Sequence, residues 1–214
     1  MTVPSERGAA VGRRMGIGIV HTLWKPRVLG AWRVPAGGPV ILAVNHAHNV
    51  DGPMLMGTSP RPVHFLIKQE AFVGPLGSFL RGIGQLKVDR TSADRAAVGN
   101  ALGVLDHGGV LGIFPEGTRG EGDFTSIRAG LAYFALRSGA PIVPVAVLGS
   151  SERSGRLIRA LPPLRSHVDV VFGDAFAVGD GSGRRTRSAL DAATVRIQER
   201  LTAHLENARR LTGR

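Results

Sequence analysis

The residues that follow the first long apolar run carry groups suited to acid–base chemistry. Residues 45–53 read Asn-His-Ala-His-Asn-Val-Asp-Gly-Pro, directly behind a run that ends at Val44. A histidine is a general base near neutral pH, and a carboxylate can fix its tautomer and stabilise the imidazolium that forms. Five residue steps of about 100° place His46 and Asp51 on different faces of any one helix, so they meet only across a loop that leads into a helix. From this spacing alone, a purely structural pair stays open.

The usual third member of a catalytic triad has no counterpart in the sequence. No G-x-S-x-G pattern occurs, and the chain contains no cysteine. A cysteine nucleophile, disulfides and thiolate metal sites are therefore excluded. If His46 is a base, the nucleophile is expected to be a hydroxyl group of the substrate.

A second cluster carries groups that bind phosphate or carboxylate. Residues 114–120 read Phe-Pro-Glu-Gly-Thr-Arg-Gly, again directly after an apolar run. Gly117 lets the backbone approach a ligand, Thr118 offers a hydroxyl group, and Arg119 offers a bidentate fork for an anion. An ordinary Glu-Gly turn with a solvated arginine is the alternative. Lys68 and Arg90 add two cations near the ends of other apolar runs.

The charge balance favours anionic partners. Lys plus Arg number 27 and Asp plus Glu 16, which gives a net charge of +11. Phosphates, acidic lipid surfaces, acidic carrier proteins and nucleic acid all fit such a charge. Of the 27 basic residues 24 are arginine, which also fits a general compositional bias.

Short apolar runs alternate with longer segments of helical pattern, which predicts an αβα layered single domain with a mostly parallel central sheet. The predicted strands are Pro39–Val44, Val63–Ile67, Gln85–Val88, Val110–Phe114, Ile142–Leu148 and Val168–Phe172. The predicted helices are Asp94–Leu105, Ile127–Arg137 and Arg187–Leu211. Residues Gly179–Arg185 predict a flexible surface connection. In such sheets functional residues gather where strands end.

The first 33 residues predict an amphipathic helical segment that contacts a membrane, ahead of a catalytic domain over residues 34–214. Apolar residues recur at helical spacing beside arginines and lysine, as in helices that lie in a headgroup layer. They are Ile17, Val20, Leu23, Trp24, Val28, Leu29 and Trp32. A terminal helix that caps the core is the alternative, and Gly16 and Gly18 weaken any helix there. The charge-free run Met15–Trp24 is too short to span a bilayer, and no signal-peptide cleavage site follows it.

Together and in this order, the blocks resemble the glycerolipid acyltransferase family, in its bacterial 1-acylglycerol-3-phosphate acyltransferase branch. The resemblance covers residues 38–148. Its blocks are the N-H-x4-D pattern at residues 45–51, the stretch 68–90 that ends in Val-Asp-Arg, the segment 114–119, and the proline-containing strand 140–145.

The resemblance implies that His46, supported by Asp51, deprotonates the free sn-2 hydroxyl of a lysophospholipid, which then attacks an acyl thioester. Phosphatidic acid and free coenzyme A or acyl carrier protein are the implied products, and no cofactor is needed. It also implies that Arg119, Arg90 and Lys68 position the acceptor phosphate. Glu116, an anion, is assigned to orienting Arg119 or the glycerol hydroxyls, with Gly117 and Thr118 beside it. The implied location is the cytoplasmic face of a membrane, to which the enzyme binds peripherally.

Three alternatives stay open. Gly120 and the pair His48-Asn49 depart from the residues common in the family, so another lysolipid or a glycolipid is an alternative acceptor. His46, His48 and Asp51 could instead ligate a metal in a hydrolase, although no second ligand cluster accompanies them and no metal is predicted. The charge also fits a basic nucleic-acid or membrane-binding protein without catalysis. No nucleic-acid partner is predicted, since aromatic residues are only 5% and no recognition motif occurs.

Overall fold

The structure, a computed structural model, describes residues 4–91, 94–117, 121–150, 161–179 and 186–214. Within them the strands are β1 Lys25–Leu29, β2 Val40–Val44, β3 Val63–Lys68, β4 Leu86–Val88, β5 Val110–Ile113, β6 Ile142–Leu148 and β7 His167–Phe172. The α-helices are α1 Glu6–Leu23, α2 Asp51–Thr58, α3 Gly74–Gly82, α4 Arg95–Asp106, α5 Gly130–Ser138 and α6 Arg187–Thr212. Residues 180–185 of the predicted surface connection lie outside the described residues.

The strands form one sheet in the order β1-β7-β6-β2-β5-β3-β4. The five strands from β6 to β4 run parallel to one another, whereas β7 pairs with β6 in the antiparallel direction and β1 runs parallel to β7. Strands β2 and β6 are buried along their whole length, as expected of central strands covered on both faces. The prediction of a mostly parallel sheet is confirmed.

Helices cover both faces of this sheet, so the predicted αβα layering is also confirmed. One apolar core joins the sheet to α4, α5 and α6 and includes Leu105, Leu131 and Ile197. The other joins it to α1 and α2 and includes Val20 and Met54. Helix α3 connects β3 to β4 and buries only Gly77 among its residues.

The N-terminal segment is helical over only part of the predicted range of residues 1–33. Helix α1 ends at Leu23, and the following strand β1 carries Pro26 at the edge of the sheet, where its missing N–H costs no ladder bond. Val20 and Trp24, predicted on the membrane face, are 0% and 4% exposed. They fill the core, and the exposed apolar residues of α1 are three others: Val11, Met15 and Ile19.

The glycines of α1 allow it to pack closely on α2 instead of preventing the helix. A Cβ atom on Gly57 would lie 2.6 Å from the carbonyl oxygen of Gly16, and one on Gly16 would lie 3.1 Å from the amide nitrogen of Gly57. Gly18, on the opposite side of α1, has no atom within 4 Å of its Cβ position. The two helices therefore meet backbone to backbone, and the weak intrinsic helix propensity of Gly16 is outweighed by this contact.

The close contact predicts opposite effects for two glycine-to-alanine changes. Gly57→Ala places a methyl group against the Gly16 backbone and is expected to lower the free energy of unfolding by about 1–3 kcal/mol, the usual range for overpacking. Gly18→Ala adds a methyl group in open space and is expected to raise it by roughly 0.5–1 kcal/mol. Urea unfolding monitored by circular dichroism measures both, and equal effects would contradict the close approach of α1 and α2.

Candidate active site

The order of the strands brings the two predicted clusters to one edge of the sheet. Strands β2 and β5 are neighbours, with Ala43 paired to Ile113. His46 and Glu116 each follow that pair by three residues, so both lie beyond the carboxyl ends of adjacent parallel strands. This edge is where α/β sheets bind ligands.

The imidazole of His46 contacts the carboxylate of Asp51 across the loop between β2 and α2. Nδ1 of His46 lies 3.1 Å from Oδ2 of Asp51, which also accepts a 2.6 Å hydrogen bond from the backbone N–H of His48. The Asp51 side chain is 0% exposed and that of His46 20%. Because a carboxylate only accepts, the hydrogen of a neutral His46 sits on Nδ1 and the lone pair on Nε2 is left to receive a proton. The predicted juxtaposition of these two residues is confirmed.

Glu116 contacts the backbone of His46, which the sequence did not indicate. Its Oε2 accepts a 2.9 Å hydrogen bond from the His46 N–H, and its Oε1 accepts a 3.1 Å bond from the N–H of Phe124. Burial raises the pKa of the Glu116 carboxyl, while these two N–H donors act in the opposite direction. Glu116, predicted to orient Arg119 or the glycerol hydroxyls, thus holds the backbone of His46.

Phe114, Phe65 and Asn45 pack or bond around His46. The ring of Phe114 lies 4.2 Å from that of His46 between centroids, and Phe65 stacks on Phe114 at 5.8 Å. Asn45 is 2% exposed and exchanges two hydrogen bonds with the backbone of Val147 in β6, at 3.0 and 2.7 Å. The ring of His46 therefore packs against Phe114, and the residue before it, Asn45, is hydrogen-bonded to the neighbouring strand β6.

Cationic groups lie on the β5, β3 and β4 side of His46. Lys68 ends β3 in register with Val88 of β4, and Arg90 donates a 2.7 Å hydrogen bond from Nη1 to the carbonyl oxygen of Gly117. The side chain of Arg128 occupies the place where a Cβ atom on Gly117 would stand. Two guanidinium groups thus flank one glycine, whose positive φ of 74° suits the absence of a side chain.

Part of the second cluster cannot be placed. Thr118, Arg119 and Gly120 lie outside the described residues, so their assigned roles stay predictions. Within the described part of the chain, neither Arg90 nor Arg128 forms an ion pair with a carboxylate. Both side chains are exposed, and their charge is available to an anionic ligand.

The described residues do not assemble the alternative metal site. They contain no group of three or more His, Cys, Asp or Glu side chains that could hold a metal ion. His48 contacts Asp51 through its backbone N–H, and its Nδ1 is buried without a hydrogen-bond partner in the described part of the chain. Of these three residues, His46 and Asp51 pair through their side chains, whereas His48 contacts Asp51 through its backbone.

Three side chains near the site were not given a role by the sequence analysis: Arg128, Phe114 and Asn45. Arg128 comes 11 positions after Gly117 and carries no motif. Phe114 belongs to the second cluster but had no predicted role of its own, although its ring packs against that of His46. Asn45 adjoins the predicted base, but its bond to Val147 spans 102 positions of sequence. Only the strand order reveals these contacts.

Comparison with known proteins places this arrangement among related chains. Residues 25–148 match the family model described as Acyltransferase. The chain is similar to 1-acyl-sn-glycerol-3-phosphate acyltransferase of Bacillus subtilis, 28% identical over 183 residues that cover 85% of this chain and 88% of the relative. It is also similar to the enzyme of that name from Borreliella burgdorferi, 31% identical over 129 residues that cover 58% of this chain and 52% of the relative.

A solved structure shares the fold. The crystal structure of the 1-acyl-sn-glycerophosphate (LPA) acyltransferase PlsC from Thermotoga maritima matches with a TM-score of 0.70, over 97% of this chain and 79% of that one, at 21% identity. The family match extends over more than half of the chain and includes His46, Asp51, Arg90 and Glu116. With His46 and Asp51 paired beyond the strand ends and the matched region around them, this chain belongs to the acyltransferase family.

Proposed function

We propose that this protein is a 1-acylglycerol-3-phosphate acyltransferase, which transfers a fatty acyl group from an acyl thioester to the free sn-2 hydroxyl and yields phosphatidic acid. The observation that carries the proposal is the contact between His46 Nδ1 and Asp51 Oδ2, which leaves Nε2 as the free base at the ligand-binding edge of the sheet. The names of the relatives from Bacillus subtilis and Borreliella burgdorferi support the acceptor class.

The reaction uses His46 twice. Its Nε2 takes the proton of the acceptor hydroxyl as that oxygen attacks the thioester carbonyl carbon. Asp51, buried beside Nδ1, stabilises the imidazolium. When the tetrahedral intermediate collapses, the carbon–sulfur bond breaks, the new ester remains, and the imidazolium proton passes to the thiolate. The histidine returns to its neutral form, and no nucleophile from the protein is consumed.

The acceptor phosphate binds to the cations on the β4 side of His46. Arg90 and Arg128 meet at Gly117, and Lys68 ends the strand next to the one that Arg90 follows. Guanidinium groups match phosphate oxygens in pairs. We assign Arg119, two positions after Gly117, to this site as a further cation. Gly117 and Thr118 are assigned to acceptor binding as well, the first because its backbone can approach a ligand and the second through its hydroxyl group.

The acyl donor is coenzyme A or acyl carrier protein in thioester linkage, and no resident cofactor or metal is required. The chemistry needs only a base and a thiol leaving group, both of which the two substrates and His46 provide. The two carriers place the same thioester on the enzyme, so turnover with acyl-CoA and with acyl carrier protein distinguishes them. A panel of lysolipid and glycolipid acceptors tests the acceptor assignment in the same assay.

We assign membrane contact to α1 and α3 and expect the protein to bind the cytoplasmic face of a membrane. Six of the eleven exposed large apolar side chains in the described residues lie on α1 or in and just before α3: Val11, Met15, Ile19, Val73, Leu76 and Phe79. On α1 they recur every four residues beside exposed Arg7 and Arg14, a pattern that suits insertion into an anionic headgroup layer. None of the helices in the described residues has the length and apolar character that crossing a bilayer requires.

Replacement of the base is expected to abolish most turnover. His46→Ala removes the proton acceptor, so kcat should fall by roughly a hundredfold to ten-thousandfold with the fold retained, as judged by circular dichroism. Transfer of radiolabelled acyl groups to lysophosphatidic acid measures it. His107→Ala is the matched control, because His107 is exposed and ends α4 at the opposite edge of the sheet. Near-normal turnover of His46→Ala would contradict the assignment.

Loss of a phosphate-binding cation is expected to weaken acceptor binding. Arg90→Ala removes a charge-assisted contact and should raise the apparent KM for lysophosphatidic acid roughly tenfold or more, while the KM for the acyl thioester changes little. Arg137→Ala, an exposed arginine at the far end of α5, is the matched control. An unchanged acceptor KM would show that the phosphate binds elsewhere.

Substitution of the α1 apolar residues is expected to weaken membrane binding. The triple variant Val11→Gln, Met15→Gln, Ile19→Gln introduces glutamine, a good helix former, at all three positions. It should lower the partition onto anionic vesicles at least about tenfold, since each apolar side chain contributes up to roughly 1.5 kcal/mol when buried. Cosedimentation measures it. Val195→Gln with Leu211→Gln changes exposed residues of α6 and is the control. Equal sedimentation of both variants would refute the α1 assignment.

A further inference from the structure

A side chain of the C-terminal helix binds the backbone of the loop that follows Glu116. Gln198 of α6 donates hydrogen bonds from Nε2 to the carbonyl oxygens of Phe124 and Thr125, at 3.0 and 2.7 Å. Two carbonyl groups of consecutive residues thus share one amide. Gln198 lies 50 positions beyond the region that matches the family model.

The backbone that Gln198 holds is in a strained conformation. Phe124 has a φ of 58°, in the left-handed region that aromatic residues rarely adopt. Such a conformation persists only when its surroundings over-determine it. Here the ring of Phe124 is 0% exposed within the core beneath α5 and α6, and the amide of Gln198 ties down its carbonyl group.

The strained residue in turn holds the carboxylate behind the base. The N–H of Phe124 points at Oε1 of Glu116, 3.1 Å away, and Oε2 of Glu116 accepts from the N–H of His46 at 2.9 Å. A continuous path of hydrogen bonds therefore runs from Gln198 through Phe124 and Glu116 to the backbone of His46. None of the side chains on this path is fully exposed: Gln198 and Glu116 are half-buried and Phe124 is buried.

We propose that Gln198 is a positioning residue for acyl transfer: it holds Phe124 in the left-handed conformation in which Glu116 fixes the backbone of His46. The inference rests on the proposed function, in that His46 must act as the base. Gln198 bonds to the backbone of Phe124 and Thr125 and not to His46 itself, so it acts on the rate of the chemical step through the placement of the imidazole.

The kinetic test compares variants of Gln198 in the full-length protein. Gln198→Leu and Gln198→Glu remove the donor and should lower kcat roughly tenfold to a hundredfold, the range that a small misplacement of a reacting group produces. KM for both substrates should change less than about twofold. Gln198→Lys keeps a donor of similar reach and should recover most of kcat. The matched control is Glu199→Leu, one position along on the exposed side of α6. A loss of kcat that follows the loss of thermal stability in every variant would overturn the proposal.

A double-mutant cycle tests whether Gln198 acts through Glu116. In a Glu116→Gln background, Gln198→Leu should lower kcat by less than about twofold, because the path is already broken. A full additional loss would show that Gln198 acts by another route and would overturn the proposal.

Hydrogen exchange keeps the inference separate from the proposed function. In Gln198→Leu the amide hydrogens of Phe124 and His46 should exchange faster than in the wild type, whether or not the protein acylates a lysophospholipid. Unchanged exchange at both amides would overturn the inference alone. Failure of the wild type to acylate any lysolipid would instead overturn the proposed function and leave the exchange result standing.

Discussion

Two carboxylates hold one histidine, and the arrangement of this molecule follows from that constraint. Asp51 fixes the ring of His46, and Glu116 fixes its backbone. The two anions come from different segments, one from the start of α2 and one from the end of β5. For the proposed role of His46 as a base, this means that its tautomer and its position are both determined before the substrate arrives, so it needs no reorganisation when it accepts a proton.

The strand order makes this double hold possible. Strand β2 lies between β5 and β6. Glu116, which follows β5, therefore bonds to the backbone of His46 from one side, while Asn45 bonds to Val147 of β6 on the other side. Among the described residues, the cations named above lie on the β5, β3 and β4 side of His46, which itself follows a central strand. An acceptor with a phosphate at one end and a hydroxyl group near it matches that arrangement.

The sequence predicted what depends on local order and missed what depends on long-range pairing. The contact of His46 with Asp51 was predictable because a strand end, a loop and a helix start lie within seven residues. The roles of Glu116 and Gln198 were not, since their contacts span 70 and 74 positions. Strand β1 was assigned to a helix because its apolar residues continue the spacing of α1, although Pro26 marks where that helix cannot continue. Buried Val20 and Trp24 show that helical periodicity alone does not distinguish a core face from a lipid face.

The backbone contact between Gly16 and Gly57 has a mechanical consequence. Helix α2 starts with Asp51, and α1, which presents the proposed lipid-facing residues, is pressed against it without intervening side chains. A displacement of α1 therefore also displaces α2, whose first residue is the carboxylate bonded to His46. If α1 carries the membrane contact proposed above, this helix pair sets the height of the His46 imidazole above the bilayer surface.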